Sequence, residues 1–170
     1  RSVPDNIWSV LASIMRLRSV ILETAVDDLN SESTELDRAI EMAKAAHAGQ
    51  IDKAGVDYIR HPLRLCNRVS GVQVKCAALL HDVVEDSSTT LDDLRNAGIS
   101  EAVVTAVEAL TKRAGESKEA AVTRARDNDI ARVVKLADLE DNADLARFDE
   151  PSDEDRTRAA RYEKLQKILR

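Results

Sequence analysis

Ala77-Ala78-Leu79-Leu80-His81-Asp82-Val83-Val84-Glu85-Asp86 is the stretch whose reading decides this chain. Apolar residues run directly into one imidazole and then a cluster of carboxylates. At a helical period, His81 and Glu85 stand one turn apart, and so do Asp82 and Asp86. One helix end then offers two kinds of metal ligand side by side. A turn further on it offers two carboxylates aimed at whatever the metal holds. Burying that much acid is costly unless a cation or solvent compensates it.

Outward from this stretch the periodicity is helical throughout. Ile7, Val10, Leu11, Ile14, Leu17, Ile21, Val26 and Leu29 recur at helix spacing behind Pro4, which predicts one amphipathic helix over 4–29. Such a stripe needs cover, from the rest of the chain or from a second copy of it. Residues 1–30 are therefore set apart as an N-terminal segment for packing or homodimerisation, and 31–170 as the main domain. A helix is expected from Thr34, then a loop over 49–57 holding Lys53 and Gly55. Further helices are expected over 59–69 and 72–85, after a Thr89 or Thr90 cap, and from Ser100 to about Lys112. The last three cover 117–126, Asp129 to about Pro151, and Ser152 to the C-terminus. No alternating β pattern of useful length occurs. The fold class is all-α, a bundle of roughly eight helices.

Composition narrows the function. The chain has 170 residues, 44% hydrophobic and 33% charged, which is a globular mix with room for a core. Aromatic residues make up 2%, so that core must be aliphatic. A net charge of -6 disfavours a nucleic-acid surface. Cys66 and Cys76 lack CxxC spacing and read as buried thiols, as a reducing cytoplasm would keep them. No apolar run reaches membrane-spanning length, so no membrane partner is expected.

Four side chains stand out as metal ligands: His61, His81, Asp82 and Asp138. Two imidazoles and two carboxylates suit Mn²⁺, Fe²⁺ or Zn²⁺. Histidine is rare, three in all, and two of the three fall in this set. The alternative at this point is a helix-start His61 beside a solvated acidic helix end.

Further text fits the first reading. Ala46-His47-Ala48-Gly49-Gln50, Lys53-Ala54-Gly55 and Tyr58-Ile59-Arg60-His61-Pro62 precede the quoted stretch. Thr111-Lys112, then Lys135-Leu136-Ala137-Asp138 with Asn142, follow it. In this order the blocks resemble HD-superfamily metal-dependent phosphohydrolases, above all the hydrolase domain of the Rel/SpoT alarmone enzymes and small alarmone hydrolases. The resemblance implies one Mn²⁺ on His61, His81, Asp82 and Asp138, and a water handled by Glu85 and Asp86. It implies removal of pyrophosphate from the 3′ position of ppGpp or pppGpp. Around the substrate it suggests His47, Lys53, Asn142, Arg158 and Tyr162, the last two sharing a face of the C-terminal helix. Lys112 and Lys135 are further phosphate candidates.

Two departures touch the substrate and spare the chemistry. Asp52 stands where the family carries a base-stacking Arg, so Asp52→Arg is expected to improve ppGpp hydrolysis. Leu139-Glu140-Asp141 replaces the family's Arg-Leu-His. The competing functions are another nucleotide phosphatase, of the NADPH phosphatase or 5′-nucleotidase type, and a nucleotide-sensing module without turnover.

Overall fold

The structure is a computed structural model that describes Arg18 and residues 34–170. Apart from Arg18, which is helical and exposed, the expected 4–29 helix lies outside the described residues. Glu35–Arg170 form one compact unit. Its elements are a helix over 34–46 (α1), Arg60–Arg68 (α2), Val72–Leu80 (α3), Val83–Asp86 (α4) and Leu91–Asn96 (α5). They continue with Glu101–Leu110 (α6), Lys118–Arg126 (α7), Asp129–Ala143 (α8), a 3-10 turn Leu145–Arg147 (η1) and Asp153–Leu169 (α9). Among the described residues the only β pairing is an isolated bridge between Ile51 and Asp57. The unit is an all-α bundle.

The sequence dictates where these helices start. Thr90 and Asp93 form a reciprocal capping box on α5, and Ser152 and Asp155 form another on α9. Ser117 caps α7 and Asn128 caps α8, each accepting from a backbone N–H of the first turn. Gly98 takes a φ of 78° after α5, a conformation that costs glycine nothing. In α2, Pro62 sits in the first turn, where its missing N–H has no intrahelical use.

Helix α3 is the centre of the core. Cys76, Ala77, Ala78, Leu79 and Leu80 are fully buried, and the helix packs against α2, α6 and α8. Both cysteines are buried, as expected. A smaller cluster of Val122, Leu139, Leu165 and Leu169 seats α9 on α7 and α8. Leu139, one of the departures from the family pattern, is thereby a core residue.

Two expected helices are interrupted. The run expected over 72–85 breaks at His81 and Asp82 into α3 and α4. The His81 ring nitrogen Nδ1 lies 2.9 Å from the Ala78 carbonyl, and so takes an acceptor that the backbone of a continuing helix would use. The one-turn relation survives across the break, since the Asp86 N–H donates to the Asp82 carbonyl at 2.8 Å. Helix α8 ends at Ala143, well before Pro151. Asp144 leaves helical geometry (ψ 104°), and its side chain accepts from the Ala146 N–H to start η1. This early stop turns Arg147 and Phe148 towards the site.

Candidate active site

Three elements bring the four expected ligands together. His61 comes from the first turn of α2, His81 and Asp82 from the α3–α4 break, and Asp138 from the middle of α8. His61, His81 and Asp138 are buried, and each offers one ligand atom within 4.8 Å of the others. Asp82 joins them: its Oδ2 lies 2.8 Å from His81 Nε2 and 4.0 Å from His61 Nε2.

The protonation of these groups decides what the cluster can hold. His81 Nδ1 faces a carbonyl, which can only accept, so the proton is on Nδ1. Its other ring nitrogen, Nε2, lies 2.8 Å from the Asp82 carboxylate. His61 repeats the arrangement. Its Nδ1 donates to Asp141 Oδ2 at 2.8 Å, and its Nε2 faces Asp138 Oδ1 at 3.3 Å. Two imidazole nitrogens and two carboxylates thus converge on one buried point. Such a set is stable around protons or around a cation. In the bare protein the proton solution is visible at His61: burial opposes its charging, but Asp138 and Asp141 outweigh burial and raise its pKa to about 9. Asp82 moves the other way. Burial would raise it, and the neighbouring His81 holds it down at about 2. The donor set fits a divalent cation with N and O preferences.

Around this point a layer of charged side chains fixes the ligands. On α8, Lys135, Asp138, Asp141 and Asn142 share one face. Lys135 donates to Asp138 Oδ2 at 2.8 Å, and Asn142 donates to Oδ1 at 2.5 Å. Tyr58 donates to Asp82 Oδ2 at 2.5 Å. Burial and the charge of Asp82 push the Tyr58 phenol above its ordinary range, so it stays a donor. Asp141 is fully buried, and besides His61 it binds Arg64 through both oxygens, at 2.9 and 2.8 Å. Arg68 and Arg147 approach it at 3.3 Å each. Burial works against ionising Asp141, yet His61 and Arg64 hold its carboxyl below the usual carboxylate range. A carboxylate behind a metal-facing imidazole fixes the ring's tautomer and direction.

A cavity of about 410 Å³ opens over this floor. Glu85 lines it, and its Oε2 accepts from the Lys112 backbone N–H at 2.9 Å, which aims the carboxylate. Asp86 is exposed and lies outside the lining. Burial raises its carboxyl pKa, and the charges of Asp82 and Glu85 add to the rise. Lys53, Asn142, Arg158 and Tyr162 all line the cavity. Arg158 also pairs closely with Asp155, and Lys118 lies over the Tyr162 ring at 5.2 Å. His47 does not line the cavity. It is buried against Tyr58, ring centroids 4.9 Å apart, with Nδ1 on Gln50 Oε1 at 2.8 Å. Gln50 in turn donates to the Asp86 carbonyl at 3.0 Å. His47 is thus linked through Gln50 to the turn that carries Glu85 and Asp86.

Asp52 behaves differently from the expectation. Its side chain is 4% exposed and both oxygens are engaged. Oδ1 accepts from the N–H groups of Ala54 and Val56, and Oδ2 accepts from Arg147 Nη2 at 2.7 Å. An Arg at position 52 would leave the loop amides without their acceptor and set two guanidinium groups against each other. The expected gain from Asp52→Arg is therefore withdrawn.

Sequence reasoning missed Arg64, Asp141 and Arg147. Arg64 had a local signal, three residues from His61 on the same face of α2. Arg147 had none, since its partner Asp52 is 95 positions away.

No family model matches the chain. Among curated proteins, it is 35% identical over 105 residues to the guanosine-3′,5′-bis(diphosphate) 3′-pyrophosphohydrolase of Aquifex aeolicus, covering 57% of this chain and 15% of that protein. It is 33% identical over 128 residues to a GTP pyrophosphokinase of Streptomyces coelicolor, covering 67% of this chain and again 15% of the relative. Against the human guanosine-3′,5′-bis(diphosphate) 3′-pyrophosphohydrolase MESH1 the identity is 39% over 74 residues, 39% of this chain and 41% of that one. The chain thus spans well under half the length of these relatives. A solved structure of a metazoan SpoT ortholog described as hydrolysing ppGpp superposes with a TM-score of 0.65 at 24% identity, over 80% of this chain and 85% of that chain. The chain has the helical fold of that ortholog, and its sequence resembles segments of proteins named guanosine-3′,5′-bis(diphosphate) 3′-pyrophosphohydrolase and GTP pyrophosphokinase.

Proposed function

We propose that this protein is a metal-dependent pyrophosphohydrolase that releases pyrophosphate from the ribose 3′ position of ppGpp or pppGpp. One observation carries the reading: two imidazole nitrogens and two carboxylates converge on a buried point at the floor of a cavity edged by lysines and arginines. His61, His81, Asp82 and Asp138 would hold the cation, Mn²⁺ by resemblance. When bound, it would supply Lewis acidity towards a phosphoryl oxygen and lower the pKa of water.

The chain's own residues do the rest. Water attacks the phosphorus next to the ribose 3′ oxygen. The bond from that phosphorus to the ribose oxygen breaks, the electron pair leaves with the oxygen, and a proton follows. Glu85, aimed by the Lys112 N–H, takes the proton of the attacking water. Asp86 is the next acceptor along the turn, and its raised pKa suits proton uptake. Lys53, Asn142, Arg158 and Tyr162 line the cavity and bind the substrate's phosphates and ribose, while His47 keeps the Gln50–Asp86 contact in place.

The test is a Mn²⁺-supplemented screen of ppGpp, pppGpp, NADPH and nucleoside monophosphates, reading pyrophosphate and phosphate separately. Pyrophosphate from the first two substrates is expected. Phosphate from NADPH or the monophosphates alone would replace this reading with a simple nucleotide phosphatase. Binding without release of either product would make the protein a sensor.

A further inference from the structure

The rim of the cavity holds a device that the phosphate chemistry does not use. Arg147, on η1, reaches across to the 49–57 loop. Its Nη2 donates to Asp52 at 2.7 Å, and its Nη1 donates to the Asp141 carbonyl at 3.1 Å. Two edges of the guanidinium plane are thus occupied by acceptors. The side chain is 15% exposed and lines the cavity. The same ion pair joins two apolar neighbours in sequence to the rim. Ile51 precedes Asp52 and Phe148 follows Arg147, and both line the cavity. Ile51 is 58% exposed, the most exposed large apolar side chain among the described residues. The Arg158 guanidinium lies 6.0 Å from the centroid of the Phe148 ring, so a second planar cation attends the same apolar corner.

We propose that Arg147, pinned by Asp52 and Asp141, is the residue that selects a base-bearing ligand, receiving the heterocycle on its guanidinium face between Ile51 and Phe148. A planar, delocalised cation stacks on aromatic rings in a way that an ammonium does not. Pinning the edges means that little freedom is lost when the base arrives. The inference rests on the proposed function only in taking the ligand to be a nucleotide.

The alternative is that Arg147 is a strut tying the loop to η1. Arg147→Lys separates the two, because a lysine keeps a charge for Asp52 but offers no plane. The probes are GDP and inorganic pyrophosphate, titrated calorimetrically into the Mn²⁺-loaded protein. The expected result is a fall in GDP affinity of about tenfold, as befits one stacked base, with pyrophosphate affinity and melting temperature unchanged. Ile51→Ser, at an exposed position that does not endanger folding, is expected to weaken GDP about threefold from the lost apolar contact alone. Equal GDP affinity in wild type and both variants would overturn the inference. So would a parallel loss for pyrophosphate, or a wild type that binds GDP no better than pyrophosphate. Hydrolysis is scored separately: GDP binding that depends on Arg147, in a protein that never releases pyrophosphate from ppGpp, sinks the proposed function and leaves this inference standing.

Discussion

The floor of the cavity and its rim obey different rules. The floor is made of four candidate ligands: His61 and Asp138 stand on helices packed against α3, and His81 and Asp82 stand in the break at its end. Its residues match the resemblance one by one. The rim is made of a loop, a 3-10 turn and the face of α9, and there the charges have been rearranged. Asp52 replaces a cation, and Arg147 brings a cation back from the opposite side. Coordination fixes atoms and angles, so a ligand has few substitutes. A rim needs only charge and shape near a ligand, and several positions can supply them.

That contrast can be broken by experiment, the largest effects first. His81→Ala removes a buried ligand, so metal content should fall from one per chain towards zero and activity should vanish; elemental analysis after gel filtration checks both. Equal metal in wild type and variant would move the site elsewhere. Glu85→Gln keeps the shape but cannot take a proton. It should lower kcat by about 10²-fold or more with metal content unchanged, and a wild-type rate would reduce Glu85 to a structural residue.

Asp141→Asn probes the seam between the two regions. It weakens the anchor of His61 and leaves Arg64 facing an uncharged amide, so Mn²⁺ affinity should drop about 10- to 100-fold. Competition with a chelator reads this directly, and an unchanged affinity would show that the α2 helix alone orients the ring. The smallest effect belongs to the rim. Arg147 and the loop N–H groups overcome burial and hold the Asp52 carboxyl below 3.8. Its contribution to stability is therefore present above the unfolded value and is lost as pH falls through the lower folded one. Asp52→Asn should flatten that part of the acid-denaturation curve below about pH 4 and leave metal content alone. An identical curve would mean that the loop is held by its backbone without help from the ion pair.

Much of the floor was legible before any coordinates. Its histidines are rare in this chain, its four candidate ligands fall in ordered blocks, and helix caps such as Thr90 and Ser152 announce their helices locally. The break at His81 was not legible. A helical period runs straight through it, and only the contact of the imidazole with the Ala78 carbonyl stops the helix. Asp141 looked like a lost histidine. In space it is the fully buried partner of His61 and Arg64.

The sequence by itself determined the all-α class, most of the helix starts, the aliphatic core and the four side chains proposed as ligands. These follow from periodicity, propensity and side-chain chemistry, which are local. The tertiary structure alone decided that Asp52 meets Arg147, that Leu139 seats α9, and that η1 turns Phe148 to the cavity. Those outcomes join residues far apart along the chain, and such pairings are fixed only when the helices pack and buried charges must find partners.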